Sequence, residues 1–477
     1  MWDSLHLPVR NKKRNIELKN VMIEDYAAEG RSLARVDGKV IFIEHAVPGD
    51  CVDLVLTRNK KDWAEGRITS FHEYSKERVK PFCAHFGICG GCQWQMLPYE
   101  RQLHYKQKQV EETLKRIGKV DLPDIMPIVG ASKTSHYRNK IEYTFSNKRF
   151  LTAEELKNPQ IRSTQDSAGF HAKGIFDKVV DIDICHLQEE PSNQMRQAIK
   201  NWAIGNRASF YDIKNHQGWL RTMQVRTCTT REIMVNLVFS YEDEGLRKGL
   251  LEHVLEQFPQ VTSLLYTINP KMNDSLNGLS PQTYYGKGFV IEKMNDFQFK
   301  IGPKSFFQTN SLQALKLYEI SRDYAELKGN EIVYDLYCGT GSIGIFLSPR
   351  AGKVIGVELV PEAIADAKEN AELNQIKHAK FIAGDVLDIC TNNFFEHEGR
   401  PDVIITDPPR AGMHERLVKK ILDMEASRIV YVSCNPSTQA RDLNLLDNKY
   451  RVSRIQPVDM FPHTHHIENL VQLVLRK

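Results

Sequence analysis

Residues 333–344 read VYDLYCGTGSIG, and residues 354–359 read VIGVEL. The first stretch begins as an apolar strand and continues into a glycine-rich loop that includes Gly339 and Gly341. Glycines allow backbone N–H groups to approach a ligand where the next helix begins. The second stretch predicts another buried strand that ends at Glu358, whose carboxylate could bind both hydroxyls of a ribose. Together the two stretches predict a nucleotide-type cofactor site on an α/β sheet.

A glycine-rich loop alone could also be an ordinary strand-to-helix turn. The pattern D-x-x-C-G-x-G differs from G-x-G-x-x-G, and no lysine follows it as a P-loop requires. It resembles the S-adenosylmethionine loop of class I methyltransferases. That resemblance implies that Asp335 anchors the loop, Glu358 binds the ribose and Asp385 lies on the adenine side. From Phe299 onward predicted strands and helices alternate, as in a doubly wound, Rossmann-like sheet.

The composition is that of a globular chain with several domains. The 477 residues are 41% hydrophobic and 26% charged, and no apolar run is long enough to span a membrane. The start of the chain has no apolar segment of signal-peptide length. We therefore expect a cytoplasmic protein without membrane insertion, whose nine cysteines stay reduced.

Positive charge is concentrated at the front of the chain. Residues 1–120 carry 21 Lys and Arg against 16 Asp and Glu, whereas the whole chain has a net charge of only +4. Basic residues precede and separate the predicted strands: Arg10, Lys12, Lys13, Arg14, Arg58, Lys60 and Lys61. Five short strands are predicted near 16–23, 31–36, 39–43, 51–58 and 63–71. This pattern resembles a TRAM domain, an OB-type RNA-binding barrel, although a charged surface on an unrelated small barrel is the alternative.

Three cysteines lie within ten residues in the pattern Cys83-x5-Cys89-x2-Cys92. Cys185, much later in the chain, is a possible fourth ligand. Four thiolates suit either a [4Fe-4S] cluster or zinc, and the spacing does not choose between them. The mixed strand and helix signals between residues 123 and 300 predict an α+β central domain around this four-cysteine cluster.

Two short motifs follow consecutive buried strands of the predicted α/β sheet. Asp407-Pro408-Pro409-Arg410 follows residues 403–406, and Ser433-Cys434-Asn435-Pro436 follows residues 429–432. Carboxyl ends of parallel strands meet at one edge of a sheet, where open α/β sheets bind ligands. Amino-methylating enzymes have an aromatic residue after D-P-P and need no nucleophile, whereas Arg410 stands there in this chain. C5 of uracil, by contrast, reacts only after a nucleophile such as a cysteine thiolate adds at C6.

With FFQTN at residues 306–310, these motifs resemble the RNA uracil-C5 methyltransferase family, in particular its ribosomal-RNA branch with a TRAM domain and an iron-sulfur cluster. The resemblance implies Cys434 as nucleophile and Glu468 as the base that removes the C5 proton. It also implies cofactor or active-site roles for six residues: Gln308, Tyr337, Ser342, Glu358, Asp385 and Asp407. Four cysteines are implied as metal ligands: Cys83, Cys89, Cys92 and Cys185. Phe306 or Phe307 could stack on the target base, and His463, His465 and His466 are interpreted as structural or RNA-facing.

The sequence therefore predicts three domains: a TRAM barrel over 1–72, a central cluster-bearing and RNA-binding domain over 73–300, and a methyltransferase domain over 301–477. The implied reaction is transfer of a methyl group from S-adenosylmethionine to C5 of a uridine in 23S ribosomal RNA, by a monomer. Transfer RNA is the alternative substrate. A non-catalytic RNA-binding protein and an amino-methylating nucleic-acid methyltransferase are the alternative classes, and Arg410, Cys434 and Glu468 argue against them.

Overall fold

The computed structural model describes residues 16–152 and 154–476. The predicted basic residues Arg10, Lys12, Lys13 and Arg14 lie outside this part of the chain. The fold divides into two compact units. One extends to Pro81 and includes Gln93–Arg101, and the other consists of Phe82–Cys92 and the chain from Gln102 onward. Within the described residues, no helix has the length and apolar character needed to cross a membrane.

The first unit is a six-stranded sheet with the strand order β1-β5-β6-β4-β3-β2. Its strands are β1 (Glu17–Met22), β2 (Asp25–Tyr26), β3 (Ser32–Val36), β4 (Lys39–Ile43), β5 (Cys51–Asn59) and β6 (Trp63–Glu73). The turn between β3 and β4 is Asp37-Gly38, and both residues have a positive φ, as a two-residue hairpin turn requires. The five predicted strands are thus present, with small shifts at their ends, and β2 is an addition at the sheet edge.

The central part of the chain contains one mixed sheet with the order β13-β12-β11-β10-β7-β8-β9 and a separate β14–β15 hairpin. The elements are α1 (Tyr99–Thr113), β7 (Lys140–Ser146), β8 (Ser167–His171), β9 (Val179–Asp181), α2 (Ser192–Gly205), β10 (Leu220–Thr227), β11 (Ile233–Phe239), α3 (Glu244–Gln257), β12 (Ser263–Ile268), β13 (Gln282–Gly286), β14 (Val290–Met294) and β15 (Phe297–Ile301). Buried residues of α2 and α3 share one hydrophobic core with β7, β10 and β11. This arrangement agrees with the predicted α+β class.

The last third of the chain is a doubly wound sheet with the strand order β18-β17-β16-β19-β20-β22-β21. Its elements are α4 (Ser311–Ala325), β16 (Ile332–Leu336), α5 (Ser342–Leu347), β17 (Lys353–Glu358), α6 (Pro361–Leu373), β18 (Ala379–Ala383), α7 (Val386–Ile389), α8 (Asn392–Glu398), β19 (Val403–Thr406), α9 (Glu415–Met424), β20 (Arg428–Ser433), α10 (Pro436–Leu446), β21 (Tyr450–Val458) and β22 (Glu468–Leu475). The first five strands are parallel, and β22 runs antiparallel between β20 and β21. The predicted class I methyltransferase architecture is therefore present.

The strand register collects the predicted site at one edge of this sheet. Leu336 of β16 pairs with Val357 of β17 and with Thr406 of β19, so the residues that follow them lie side by side. Buried apolar side chains of both sheet faces pack beneath helices, which leaves the carboxyl ends of the strands as the open edge. Cofactor and substrate chemistry is therefore expected at this edge.

Candidate active site

The glycine-rich loop after β16 is held by the buried carboxylate of Asp335, which accepts a hydrogen bond of 2.9 Å from the N–H of Gly344. A Cβ atom at Gly344 would lie 2.9 Å from Asp335 Oδ2, so this close approach requires glycine. Tyr337 and Gly341 have positive φ values, which turn the chain sharply from the strand into α5. Asp335 thus anchors the loop, as the resemblance implied.

Glu358 lies at the end of β17, next to this loop. Its Oε2 accepts a hydrogen bond from the N–H of Gly339 at 3.3 Å, and its Oε1 accepts one from the N–H of Val360 at 3.0 Å. A carboxylate oxygen has two lone-pair sites, so each oxygen keeps capacity to accept from a ligand hydroxyl. The two backbone contacts hold the carboxylate beside the glycine-rich loop.

The other predicted cofactor residues lie around the same loop. The Ser342 hydroxyl is 2.8 Å from the hydroxyl of Tyr318 on α4. Asp385 is exposed beyond β18 and caps α7, because it accepts a hydrogen bond from the N–H of Leu387. The segment that contains Gln308 reaches the loop through Thr340, whose hydroxyl donates to the carbonyl of Phe306.

Cys434 and Glu468 face each other because of the pairing between β20 and β22. Ser433, the last residue of β20, pairs with Asn469, so Cys434, which follows the strand, comes opposite Glu468, the first residue of β22. Asn435 caps α10 and Pro436 occupies its first turn, so Cys434 is fixed where the strand turns into the helix. Residues separated by a whole helix and strand in the sequence are thereby brought together at the open edge.

Electrostatics at this pair favours protonated groups. Burial, followed by the charges of Glu468 and Asp407, raises the pKa of the Cys434 thiol to about 11, and Arg410 acts in the opposite direction. Burial and the charge of Asp407 raise the pKa of the Glu468 carboxyl well above its ordinary value. The pair is therefore a thiol beside a carboxyl group that can hold a proton.

Two further carboxyl groups make this edge strongly acidic. Burial raises the pKa of Asp335 to about 7, and it raises the pKa of Asp407 to about 7 as well. The charges of Asp407 and Glu358 add to the shift at Asp335. S-adenosylmethionine carries a sulfonium cation, so this set of carboxylates fits the cofactor chemically, together with Glu358 and the glycine-rich loop.

Two residues without an assigned role in the sequence analysis take part in the site. Asn139 donates its Nδ2 to the carbonyl of Gln308 at 2.9 Å and its backbone N–H to the carbonyl of Thr309 at 2.8 Å. The Nη2 atom of Arg410 lies 3.5 Å from the Nδ1 atom of His466. No strand was predicted at β7, and the partners of Asn139 are far away in the sequence, so no local signal pointed to Asn139.

The aromatic and histidine candidates divide between surface and core. Phe306 is 70% exposed, whereas Phe307 is buried against Phe299, so Phe306 is the ring that remains available to a base. His463 is buried, and its Nδ1 is 3.1 Å from Gln102 Nε2, which agrees with a structural role. Burial lowers the pKa of His466 to about 3, so this ring is neutral.

The predicted metal ligands are neighbours, but they do not form a recognisable metal site. Burial raises the pKa of Cys89 to about 11, and the charges of Cys185 and Cys83 contribute to the shift. Cys92 and Cys185 both contribute to a raised pKa of Tyr137, for which burial is the main cause. Among the described residues, no group of three or more His, Cys, Asp or Glu side chains is arranged to hold a metal ion. The [4Fe-4S] cluster therefore stays a prediction.

Comparisons with known proteins place this site in a family. The family model for tRNA (uracil-5-)-methyltransferase matches residues 285–476. An uncharacterized RNA methyltransferase of Bacteroides thetaiotaomicron is 53% identical, over 94% of this chain and 100% of that protein. A similar protein of Chlorobaculum tepidum is 37% identical, over 98% of this chain and 99% of that protein.

The fold also matches a solved structure. The tRNA (uracil-54, C5)-methyltransferase of Pyrococcus abyssi, in complex with S-adenosyl-L-homocysteine, is 30% identical, with a TM-score of 0.73. The match covers 95% of this chain and 100% of that one. The chain is thus an enzyme, an S-adenosylmethionine-dependent RNA methyltransferase. Within that class it belongs to the RNA uracil-C5 methyltransferase family.

Proposed function

We propose that the enzyme methylates C5 of a specific uridine in 23S ribosomal RNA through a covalent bond between Cys434 and C6. The observation that carries this proposal is the pairing of Ser433 with Asn469, which brings Cys434 opposite Glu468, close enough for the Glu468 charge to raise the thiol pKa. A nucleophile at C6 and a base at C5 must reach the same ring, and a thiol beside a carboxyl group supplies both. An enzyme that methylates an exocyclic amine would have no use for this pair.

The reaction begins with addition of the Cys434 sulfur to C6. The thiol pKa of about 11 means that the proton must leave as the bond forms. Asp407, with a pKa of about 7, is the neighbouring group of suitable strength to accept it. Addition gives an enolate in which C5 is nucleophilic, and S-adenosylmethionine supplies the methyl group to C5.

Glu468 then completes the reaction. The C5 proton passes to the Glu468 carboxylate, the C6–sulfur bond breaks, and the sulfur takes back the proton that Asp407 had accepted. Glu468 then releases the C5 proton to water. The raised pKa makes the ionised carboxylate of Glu468 a better proton acceptor, and the carboxyl group must have lost its own proton before this step. Arg410 opposes the raised pKa values of both groups and so stabilises their anionic forms as charge develops.

The remaining site residues are assigned to cofactor binding. Glu358 holds the ribose, and Asp385 contacts the adenine side. The other positions of this group line the loop or the reacting centre: Gln308, Tyr337, Ser342 and Asp407. The acidic character of the sheet edge supports binding of a cationic cofactor.

The same proposal includes the three domains over 1–72, 73–300 and 301–477. The six-stranded first unit, with Arg58 over the Trp63 ring, supports a TRAM-type RNA-binding role. Cys83, Cys89, Cys92 and Cys185 would hold a [4Fe-4S] cluster that stabilises the central domain. Because the substrate is cellular RNA, the enzyme would work in the cytoplasm, and we expect a monomer.

Transfer RNA is the second candidate substrate. It is favoured by the match to the Pyrococcus abyssi enzyme, which is named for uracil-54 of tRNA. The choice of 23S RNA rests instead on the resemblance to the branch that combines a TRAM domain with a cysteine cluster. Mass-spectrometric mapping of 5-methyluridine in cells that lack the gene distinguishes the two. Loss of the modification from transfer RNA alone would reject the ribosomal substrate.

Trapping tests the chemistry directly. RNA with 5-fluorouridine at the target should be attacked and methylated, but it cannot lose fluorine as a cation, so it should stay bound to Cys434. Glu468→Gln with ordinary RNA should accumulate a similar methylated adduct. Cys434→Ala should bind the cofactor and give neither adduct nor product, whereas the control Cys51→Ala, in β5, should react normally. Turnover by Cys434→Ala would reject the covalent mechanism.

A further inference from the structure

The central sheet has one polar face, formed by the paired strands β7 and β10. The register pairs Lys140 with Arg226, Glu142 with Gln224 and Thr144 with Thr222. Directly opposed residues of antiparallel strands project to the same side of a sheet. The alternate residues of both strands are buried in the hydrophobic core with α2 and α3: Ile141, Tyr143, Phe145, Met223 and Val225. The row that contains Glu142 therefore lies on the face away from this core.

This polar face begins at the active site. Asn139, directly before β7, binds the segment that contains Gln308 and Thr309. Arg138, the residue before Asn139, is close enough to His466 to lower its pKa. His466 Nδ1 in turn lies 3.5 Å from Arg410 Nη2 at the active site. A strand rises about 3.4 Å per residue, so Glu142 lies about 10 Å along β7 from Asn139. A nucleotide close to the target uridine would reach this position.

Glu142 is an exposed carboxylate, and both the basic Lys140 and the acidic Asp274 are close enough to shift its pKa. Within the described chain it has no salt-bridge partner, because the neighbouring cations bind other groups. The Gln224 amide has one orientation in which both its oxygen and its nitrogen form hydrogen bonds. In that orientation the oxygen accepts from Lys140 Nζ at 3.1 Å, and the nitrogen donates to the carbonyl of Pro303. Arg226 donates to the carbonyl of Ser305 at 3.3 Å. A hydrogen bond with the Gln224 side chain takes up one acceptor site of the Glu142 carboxylate and lowers its pKa, and the remaining acceptor sites are open to a ligand.

The surroundings also make this carboxylate a strong acceptor. Burial by the atoms around it raises the pKa of Glu142, Lys140 lowers it, and Asp274 raises it further. The side chain is nevertheless solvent-exposed, so a ligand can reach it. Hydrogen-bond donors from a ligand would stabilise the ionised form there.

An acidic group on an RNA-binding surface repels phosphates, so it can contribute to binding only through donors on a base or a ribose. An ionised carboxylate accepts hydrogen bonds and donates none. Guanine presents two adjacent donors, N1–H and N2–H, on its Watson–Crick edge, and a carboxylate can accept both at once. Adenine, cytosine and uracil each lack this pair of adjacent donors.

We infer that Glu142 binds the Watson–Crick edge of an unpaired guanine close to the target uridine, and that it thereby contributes to the choice of RNA site. This inference rests on the RNA substrate of the proposed function. It is independent of the covalent chemistry, because it concerns binding alone. Glu142 is a specificity residue in this scheme and does not touch the reacting atoms.

Selection from a random RNA pool tests the inference. The full-length enzyme, with S-adenosyl-L-homocysteine present, is incubated with RNA that carries one fixed uridine between randomised flanks, and bound molecules are recovered on filters and sequenced. The wild type should enrich guanine at one flanking position. Glu142→Gln should reduce that preference by about tenfold or more, since an amide presents one acceptor and one donor, and should shift it toward adenine. Preferences at the other positions should remain.

The control is Glu256→Gln, which removes the same charge from an exposed position on α3. It should retain the guanine preference. Thermal unfolding and binding of S-adenosyl-L-homocysteine should be unchanged in Glu142→Gln, which separates a loss of recognition from a loss of folding. Uniformly tighter binding of all RNAs by Glu142→Gln, with unchanged base frequencies, would overturn the inference and leave Glu142 as a repulsive charge. Enrichment of no guanine by the wild type would also overturn it. Failure of the wild type to bind any RNA would instead reject the proposed function.

Discussion

Binding of S-adenosylmethionine should strengthen as the pH rises through neutrality. Burial raises the pKa of both Asp335 and Asp407 to about 7, because charged carboxylates are costly in the interior, and the charges of Asp407 and Glu358 add to the shift at Asp335. The sulfonium cation of the cofactor stabilises the ionised forms of these groups. Binding therefore lowers their pKa values and releases protons wherever the free enzyme is still protonated.

The size of the effect follows from the pKa of Asp407. A group with a pKa of about 7 is roughly one-tenth ionised at pH 6 and roughly nine-tenths ionised at pH 8. If the cofactor binds only the form with ionised Asp407, the apparent Kd falls about tenfold over this range, which corresponds to about 1.4 kcal/mol. Participation of Asp335 in the same way would make the change larger.

Isothermal titration calorimetry at pH 6, 7 and 8, in buffers with different ionisation enthalpies, measures both the Kd and the number of protons released. Asp407→Asn should remove the Asp407 contribution to this pH dependence. The control Asp423→Asn, exposed near the end of α9, should retain it. S-adenosyl-L-homocysteine, which lacks the sulfonium charge, should show a smaller dependence. A Kd of the wild type that is constant from pH 6 to 8 would refute this reasoning.

Three further predictions concern RNA binding and stability. Removal of residues 1–72 should weaken RNA binding and flatten its salt dependence in filter-binding assays, because fewer phosphates are neutralised. Cofactor affinity should be nearly unchanged. An unchanged salt slope would place the RNA-binding surface elsewhere. Anaerobically purified protein should contain about four irons and four sulfides per chain, and Cys89→Ser should lose them and unfold at lower temperature; stoichiometric zinc would reject the cluster. Lys106→Ala should lower the unfolding free energy, measured in urea, by about 3–5 kcal/mol, because it removes the buried cation that faces the buried carboxylate of Asp459. The control Lys108→Ala, which removes a cation from a partly exposed ion pair with Glu112, should cost less than about 1 kcal/mol.

Much of the catalytic domain could be predicted because its signals are local. The glycine-rich loop after β16 requires particular residues at particular positions, and the Asn435-Pro436 cap shows where β20 turns into α10. Motifs that follow successive parallel strands must share one edge of the sheet. For these reasons Glu358, Asp407 and Cys434 could be assigned to that edge from their places in the sequence.

The strands of the first unit could be predicted for a similar reason. The positive φ values at Asp37 and Gly38 are those that a two-residue hairpin needs, and the residue types alone indicate such a turn. The closure of these strands into a particular barrel is not a local property. The TRAM assignment therefore still rests on resemblance.

The sequence by itself determined that the chain has a nucleotide-type loop, a cysteine after a buried strand, and carboxylates at the ends of neighbouring strands. Only the tertiary structure decided that β22 enters between β20 and β21, which brings Glu468 opposite Cys434. It also decided that Asn139 holds the Gln308 segment and that Glu142 lies in a polar row on the central sheet. These placements depend on strand order and on pairing between distant segments, and the raised pKa values depend on how many buried carboxylates meet. Both the placements and the pKa shifts arise from the packing of the whole chain, so no local pattern of residues predicts them.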